Sequence, residues 1–465
     1  MPAQYMIHTR AAPNRFKAPA KSGIIAWWEG CLGCSHCVKK QCVYGVYSNR
    51  DLDTRQMIDS IDNQCMGCLR CVQGCPRELI HKSLNPEYEA LGDSHWTPDI
   101  ITSLWCQAET GKIPVSGGGY PGPFSGPGFD SMWTDMSEIV RPTRDGIHGR
   151  EYISTGVNLG GTPGYLGLTN SGELAGDPPF QLDIPLPIIL RVPPFGSVSG
   201  DTIKGWAMAA RSLRTFLALP IDMIAGELVS FKEYLIPVIS RIQPHLCDSL
   251  EGLRLVEVPW RENWKEIAKT IKGSHPSALV SCRIPLVPRM EEKIVSLVDS
   301  GASIIYLEGA ASGRVMDDNS IFLKDGIRQI HLALVERGMR DEVTLLAGGG
   351  IAMAEHVAKS IICGADGVVI DFPILIALEC RMCRRCTKGL PCPVEIDRAE
   401  YSWVASRVIN LLGAWHNQLL EVMGAMGIRD VRRLRGEAGR AMFFEDLDES
   451  TFGSLGEVKE GYELE

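Results

Sequence analysis

Twelve of the sixteen cysteines in this chain of 465 residues stand in three tight runs, and no other feature limits so strongly what it can fold into. The first run is Cys31, Cys34, Cys37 and Cys42. The second is Cys65, Cys68, Cys71 and Cys75, followed by Pro76. The third is Cys380, Cys383, Cys386 and Cys392, within "ECRMCRRCTKGLPCP". Thiols this close are better placed to share a metal centre than to pair across a fold. At C-x2-C-x2-C spacing one short loop offers three thiolates to one cubane, and the fourth cysteine usually ligates the other of two clusters. One [4Fe–4S] is therefore expected on Cys31, Cys34, Cys37 and Cys75, and another on Cys65, Cys68, Cys71 and Cys42. The first run is the looser, with Val43 where proline is usual. Zinc is the alternative, although zinc modules favour separated C-x2-C pairs. It is a heavier alternative for the third run. There Arg381, Arg384, Arg385 and Lys388 either offset the charge of a thiolate-ligated cluster or form a solvated basic face.

The composition agrees with a reduced, metal-loaded protein. A hydrophobic share of 45% and a charged share of 22% are ordinary for a globular chain, and the length suits two or three domains. With 47 basic and 56 acidic residues the formal charge is -9, and no basic stripe is interleaved with aromatics, so a nucleic-acid partner is not expected. No apolar run approaches a membrane span, and the N-terminus has no apolar signal core. A cytoplasmic location follows as the expectation.

Along the chain, residues 1–26 read as an extension and 27–109 as a small ferredoxin-like α+β domain carrying two [4Fe–4S] clusters. Residues 110–181, rich in Gly and Pro, read as an irregular connecting segment that wraps a neighbour. From residue 182 to 398 short apolar runs alternate with helical stretches. The runs are "LPIIL" at 186–190, "LPIDMIAG" at 219–226, "LRLVEV" at 253–258, "SALVSCRI" at 277–284, "SIIYLEG" at 303–309, "VTLLAGGG" at 343–350 and "GVVID" at 367–371. That alternation implies parallel strands with right-handed crossovers. Seven strands are legible, so an eighth is assumed to complete a (β/α)8 TIM-like barrel; a doubly wound open sheet is the alternative. The third cysteine run then follows a late strand, on the rim where such barrels carry their sites. Residues 399–465 read as a long amphipathic helix ending at Gly427 and an acidic peripheral tail.

The stretch "LVERGMRDEVTLLAGGGIAMAEHVAKSIICGADGVVID", followed by "LIALEC" and "CPV", resembles the FMN-binding (β/α)8 domain of glutamate synthase, and the likeness covers about residues 182–435. "PPFGSVS" at 193–199 matches the first FMN loop of that family, and "MGIRDVRRLRG" follows the long helix. The resemblance implies FMN in the barrel mouth, touched by Pro194, Phe195 and Gly196, with Gly348, Gly349 and Gly350 at its phosphate. Backbone N–H groups of a glycine run at a helix start make a good anion site in their own right. In that family three cysteines bind a [3Fe–4S] cluster beside the flavin. Cys380, Cys386 and Cys392 match them, while Cys383 is an extra thiol, so a [4Fe–4S] or a [3Fe–4S] cluster is implied. Arg283 takes roughly the place of a lysine near the flavin ring.

Three departures bear on function. Asp371-Phe372 replaces the glycine-threonine of the family at the end of the last strand, so Asp371 either points away from a phosphate or alters flavin binding. "EGAASGRVMDDN" replaces the glycine-rich substrate loop and puts Glu308 and Arg314 where a 2-oxo acid pocket is expected. The long insertion between the third and fourth strands of the family is nearly absent, with "VEVPWRENWKEIAKTIKGSHPSALVSC" running almost directly from strand to strand. No cysteine nucleophile follows Met1, and no strand leads into G-x-G-x-x-G, so neither a glutaminase half nor an NAD(P)H domain is expected. Cys106, Cys247, Cys282 and Cys363 read as buried hydrophobes, His36 as a neighbour of the first cluster, and His148 has no legible partner. The chain is therefore expected to be an iron–sulfur flavoprotein oxidoreductase. Arg283 and Glu308 are its catalytic candidates, and it is expected to pass electrons within a hetero-oligomer to an NAD(P)H-linked or ferredoxin partner subunit. Glutamate formation from 2-oxoglutarate is the alternative.

Overall fold

In the computed structural model, which describes residues 5–26, 30–47, 64–113, 126–134, 153–162, 167–174, 179–239 and 251–456, the chain begins against the body that it later builds. Tyr5 donates to the Leu213 carbonyl (2.8 Å), Arg10 to Ser406 Oγ (2.7 Å), and Arg15 to the Val394 carbonyl (2.7 Å). The chain then leaves along strand β1 (Ser22–Ala26) and returns along β2 (Ile80–Leu84), antiparallel to it, with Ser22 opposite Leu84. The first two cysteine runs lie between these strands. They include a π-helical turn at His36–Gln41 and the short helix α1 (Arg70–Gln73), packed around Val46, Tyr47, Cys71 and Ile80.

Helix α2 (Pro98–Thr110) follows, capped at its start by Thr97 and stopped by Gly111 at φ 72°. Its buried face of Ile100, Ile101, Leu104, Trp105 and Ala108 packs beside the barrel, so this part of the 27–109 stretch lies with the larger body. Short strands β3 (Met132–Thr134), β4 (Val157–Leu159) and β5 (Leu182–Ile184) come next, and β4 pairs with β5. Much of the connecting segment, including His148, lies outside the described residues, as does Cys247.

Eight parallel strands close into the expected barrel: β6 (Ile188–Arg191), β7 (Leu217–Pro220), β8 (Leu235–Val238), β9 (Leu255–Pro259), β10 (Leu279–Pro285), β11 (Ile304–Glu308), β12 (Thr344–Gly348) and β13 (Gly367–Ile370). Most of their residues are buried, as a sheet covered on both faces requires. The strand expected at 219–226 is corrected to Leu217–Pro220, after which the chain turns into 3₁₀ segments. The assumed eighth strand is β8, the third in barrel order. It escaped the reading because it has four residues, contains Pro237 and follows a 3₁₀ stretch (Gly226–Tyr234) where a helix was looked for. The strand count moves accordingly. "VEVPWRENW…" spans the fourth to fifth strands, and the third-to-fourth connection is the stretch between Val238 and Leu255.

Outer helices α3 (Gly200–Leu213), α4 (Trp264–Ser274), α5 (Glu291–Asp299), α6 (Leu323–Glu336) and α7 (Ala354–Ile362) cover the barrel. A single-turn helix α8 (Phe372–Ile376) follows β13, and then comes α9 (Tyr401–Ala425). The long helix keeps an exposed face at Asn417 and Glu421 in its second half and is more deeply covered than expected in its first. It is buried along most of its length because it packs on α2, α3 and α7, closing the ring of helices. Strand β14 (Ala441–Phe443) pairs with β3, and α10 (Phe444–Gly456) carries the acidic tail. Among the described residues no helix is long and apolar enough to cross a membrane.

Candidate functional site

The three cysteine runs make three hollows. Cys31, Cys34 and Cys37 line one together with Cys75, and His36 is beside them. Cys65, Cys68 and Cys71 line another together with Cys42. The fourth thiol of each run thus faces the other run's hollow, in the exchange that the spacing suggested. Lys82 Nζ approaches Cys65 Sγ at 2.8 Å, and the Leu79 N–H approaches Cys75 Sγ at 3.4 Å. Among the described residues no three ligand side chains converge tightly enough for one metal ion. A single ion draws thiolates to about 2.3 Å from its centre. A cubane holds its four thiolates at separate corners, and each hollow is lined by four cysteines.

The third hollow lies on the barrel rim. All four of Cys380, Cys383, Cys386 and Cys392 line it, together with Phe195, Gly196 and Ser197 from the loop after β6. The loop expected to touch a flavin therefore also walls the cysteine hollow. Glu379, buried just before Cys380, accepts from the Phe16 N–H (2.9 Å) and pairs with Arg15 (3.4 Å), so the chain's start anchors the rim loop. Of the four basic residues there, Arg384 approaches Asp93 at 3.5 Å and stacks over the Phe195 ring at 5.6 Å.

The barrel mouth carries a layer of charge where apolar side chains usually fill such barrels. Arg191 pairs with Glu257, and Arg283 pairs with Glu308 at 2.7 Å. Arg283 Nε also lies 3.0 Å from Glu257 Oε1, although out of line for a hydrogen bond. The two catalytic candidates of the sequence are thus partners in one four-member ladder. Tyr306 lies under the Arg191 guanidinium, 4.8 Å from centroid to carbon. Arg314 does not enter this layer; it donates to the Asn319 carbonyl and stacks on Phe322. Asp371 is half-buried, with its carboxylate on the Phe372 N–H (2.6 Å) and among the charges of Arg191 and Glu308.

The glycine run after β12 divides its roles. A side chain at Gly349 or Gly350 would strike the backbone of Gly309 or Gly313, so close loop packing already demands glycine at both. Their N–H groups donate to nothing among the described residues, and Gly350 is buried. Unpaired N–H groups at the late loops, one of them in a buried residue, fit a phosphate. The expected phosphate side is walled by residues that the sequence did not single out. His95 Nε2 donates to the Gly350 carbonyl (2.8 Å) and Trp96 Nε1 to the Ala311 carbonyl (2.9 Å). Trp96 stands edge-on to Phe372 at 5.6 Å, and Phe372 packs on Phe195 at 5.1 Å. Gly92, in the same segment, donates to the Arg381 carbonyl (3.1 Å), tying mouth and rim loop together. Glu257 was legible as a lone acid in an apolar strand, "LVEV"; His95 and Trp96 carried no local signal. A cavity of about 330 Å³ opens at the opposite end of the barrel, where Arg432 and Arg435 are already neutralised by Asp430, Asp341 and Asp366.

Residues 257–429 match the family described as the conserved region in glutamate synthase. The archaeal glutamate synthase [NADPH] of Archaeoglobus fulgidus is 25% identical across 92% of this chain and 95% of its own length. The archaeal-type glutamate synthase [NADPH] of Thermotoga maritima is 24% identical across 87% and 91%. A solved structure of mandelate oxidase covers 65% of the chain at 15% identity with a TM-score of 0.39, too distant to bear on chemistry. The resemblance read in the barrel sequence is borne out.

Proposed function

Starting from a barrel that carries the conserved region of glutamate synthase, we propose that this oxidoreductase works mainly as an electron conduit within a larger redox complex. In this reading a ferredoxin-like lobe holds two [4Fe–4S] clusters, the rim holds a third, and FMN sits in the barrel mouth. The partner is a separate subunit linked to NAD(P)H or ferredoxin. FMN would let two-electron exchange on one side meet one-electron exchange with the clusters. The N–H groups of Gly349 and Gly350 are suited to its phosphate, and the Phe195–Gly196 loop to the edge nearest the rim. Trp96, Phe372 and Phe195 keep water from the phosphate side. Glu257 and Glu308 hold the Arg283 guanidinium in a fixed position at the mouth.

One observation carries the preference for a conduit over an amino-acid synthase. Both arginines of the mouth layer are paired with carboxylates, whereas a 2-oxo diacid needs cations free to clamp it. Glutamate formation remains the second reading, favoured by relatives named glutamate synthase that match this chain over nearly their whole length. The test supplies reduced ferredoxin or dithionite, 2-oxoglutarate and ammonia or glutamine to the flavin-loaded chain. Flavin reduction with no amino acid formed, and co-purifying redox subunits, are expected. Sustained glutamate production would reverse the order of the two readings.

A further inference from the structure

We propose that the rim loop is built for a complete [4Fe–4S] cube, with Cys383 as the ligand of its most exposed iron. The inference rests on the reading of all three cysteine runs as iron–sulfur sites, and it settles which cluster the third one holds.

The carrying observation is that one backbone conformation occurs three times. In each run the residues flanking the middle cysteine have left-handed φ. They are Gly33 and Ser35 (65° and 58°) around Cys34, Gly67 and Leu69 (68° and 58°) around Cys68, and Met382 and Arg384 (54° and 52°) around Cys383. Four of these six are not glycine, and each such residue costs about 1–2 kcal/mol in that region. A cost repeated at equivalent positions in separate parts of the chain points to one shared demand: turning three thiols and the intervening N–H groups toward one centre.

Exposure repeats the equivalence independently. Cys34, Cys68 and Cys383, the middle cysteine of each run, are the exposed ones, while the other nine are partly or fully buried. A cluster held by Cys380, Cys386 and Cys392 alone would give Met382 and Arg384 no reason to bear the strain that orients Cys383. The rim loop differs from the other two in one respect. Its fourth thiol, Cys392, comes from its own run, so this cube is closed by a single stretch of chain.

The exposed corner sets how the cube would degrade. An oxidant such as ferricyanide removes one electron and the corner iron leaves: [4Fe–4S]2+ gives [3Fe–4S]+, Fe2+ and the electron taken by the oxidant. The Cys383 thiolate is released and takes a proton.

The experiment uses the full chain, isolated without oxygen, with iron counting, EPR and Mössbauer spectroscopy. The wild type is expected to hold about twelve irons and to lack a [3Fe–4S]+ signal. Cys383→Ala is expected to hold about eleven, with the isotropic [3Fe–4S]+ signal in the oxidised state and the other two clusters unchanged. If that variant does not fold, ferricyanide-treated wild type is alkylated and mapped instead, and the label within the rim peptide should fall on Cys383. A [3Fe–4S]+ signal already present in the anaerobic wild type and unaltered by Cys383→Ala would overturn the proposal, as would rim labelling on another cysteine. About eight irons and no third signal would remove the underlying cluster reading at this run, and the proposal with it.

Discussion

Asp371 directly follows the last barrel strand, half-buried with its carboxylate on the Phe372 N–H, and its partial desolvation has a measurable consequence. Desolvation is the main cause that lifts its pKa from the ordinary 3.8 to about 6. The unfolded chain therefore ionises this group from about pH 3.8 upward, while the folded chain keeps the proton until about pH 6. In that window the native state binds more protons, so stability falls as pH rises, and the full penalty stands above it. Asp371→Asn, which can still cap Phe372, is expected to gain about 1–3 kcal/mol in urea unfolding near pH 8 and almost nothing below about pH 4. The sequence located this residue and its oddity, but it could not say which way the side chain turned. Direction depends on which strand faces the barrel axis, and that also hid Arg191, a lone arginine at a strand end whose partner is 66 residues away.

At the scale of elements, α9 is where local pattern and tertiary packing part company. Its length and its end near Gly427 were legible in the sequence; its burial was not, because the groups that cover it come from residues 5–16, α2, α3 and α7. Arg407 shows the arrangement best. It is fully buried and donates to the carbonyls of Ala377 (2.7 Å), Ala12 (2.9 Å) and Trp105 (3.3 Å), which belong to three separate segments. Hydrogen bonds from a charged donor contribute about 1.5–3 kcal/mol each, and a buried carbonyl left without a partner costs about 1–3. Arg407→Met keeps the packing volume and loses all three bonds, so a destabilisation of roughly 3–5 kcal/mol is expected in denaturant titration. Arg398→Met, on the exposed surface, should change stability by less than about 1 kcal/mol. The third strand was missed for a related reason. Four residues with a central proline carry almost no strand signal alone, and β8 exists because β7 and β9 offer it neighbours on both sides.

At the scale of the molecule, the cysteine spacing anticipated a connection that no local reading of either run contains. Cys42 is expected to serve the cluster of Cys65, Cys68 and Cys71, and Cys75 that of Cys31, Cys34 and Cys37. Cys42→Ser should therefore alter the EPR signal of the cluster on the second run and leave that of the first intact, with Cys75→Ser doing the reverse; the opposite assignment would show that each run keeps its own fourth thiol. What stayed illegible was the path of the chain between lobe and barrel. Residues 5–16 lie on the barrel, the strands β1 and β2 run out and back side by side, and the Asn85 N–H meets the Lys21 carbonyl (3.1 Å) where they rejoin it. Entry and exit are thus adjacent, as in a cassette inserted into another coding frame. Excision of residues 22–84 would leave cut ends separated by no more than a strand pair, and would leave residues 5–16 on the barrel. The same geometry would let the cassette be exchanged for another electron carrier with neighbouring termini, without redesigning the body that receives it.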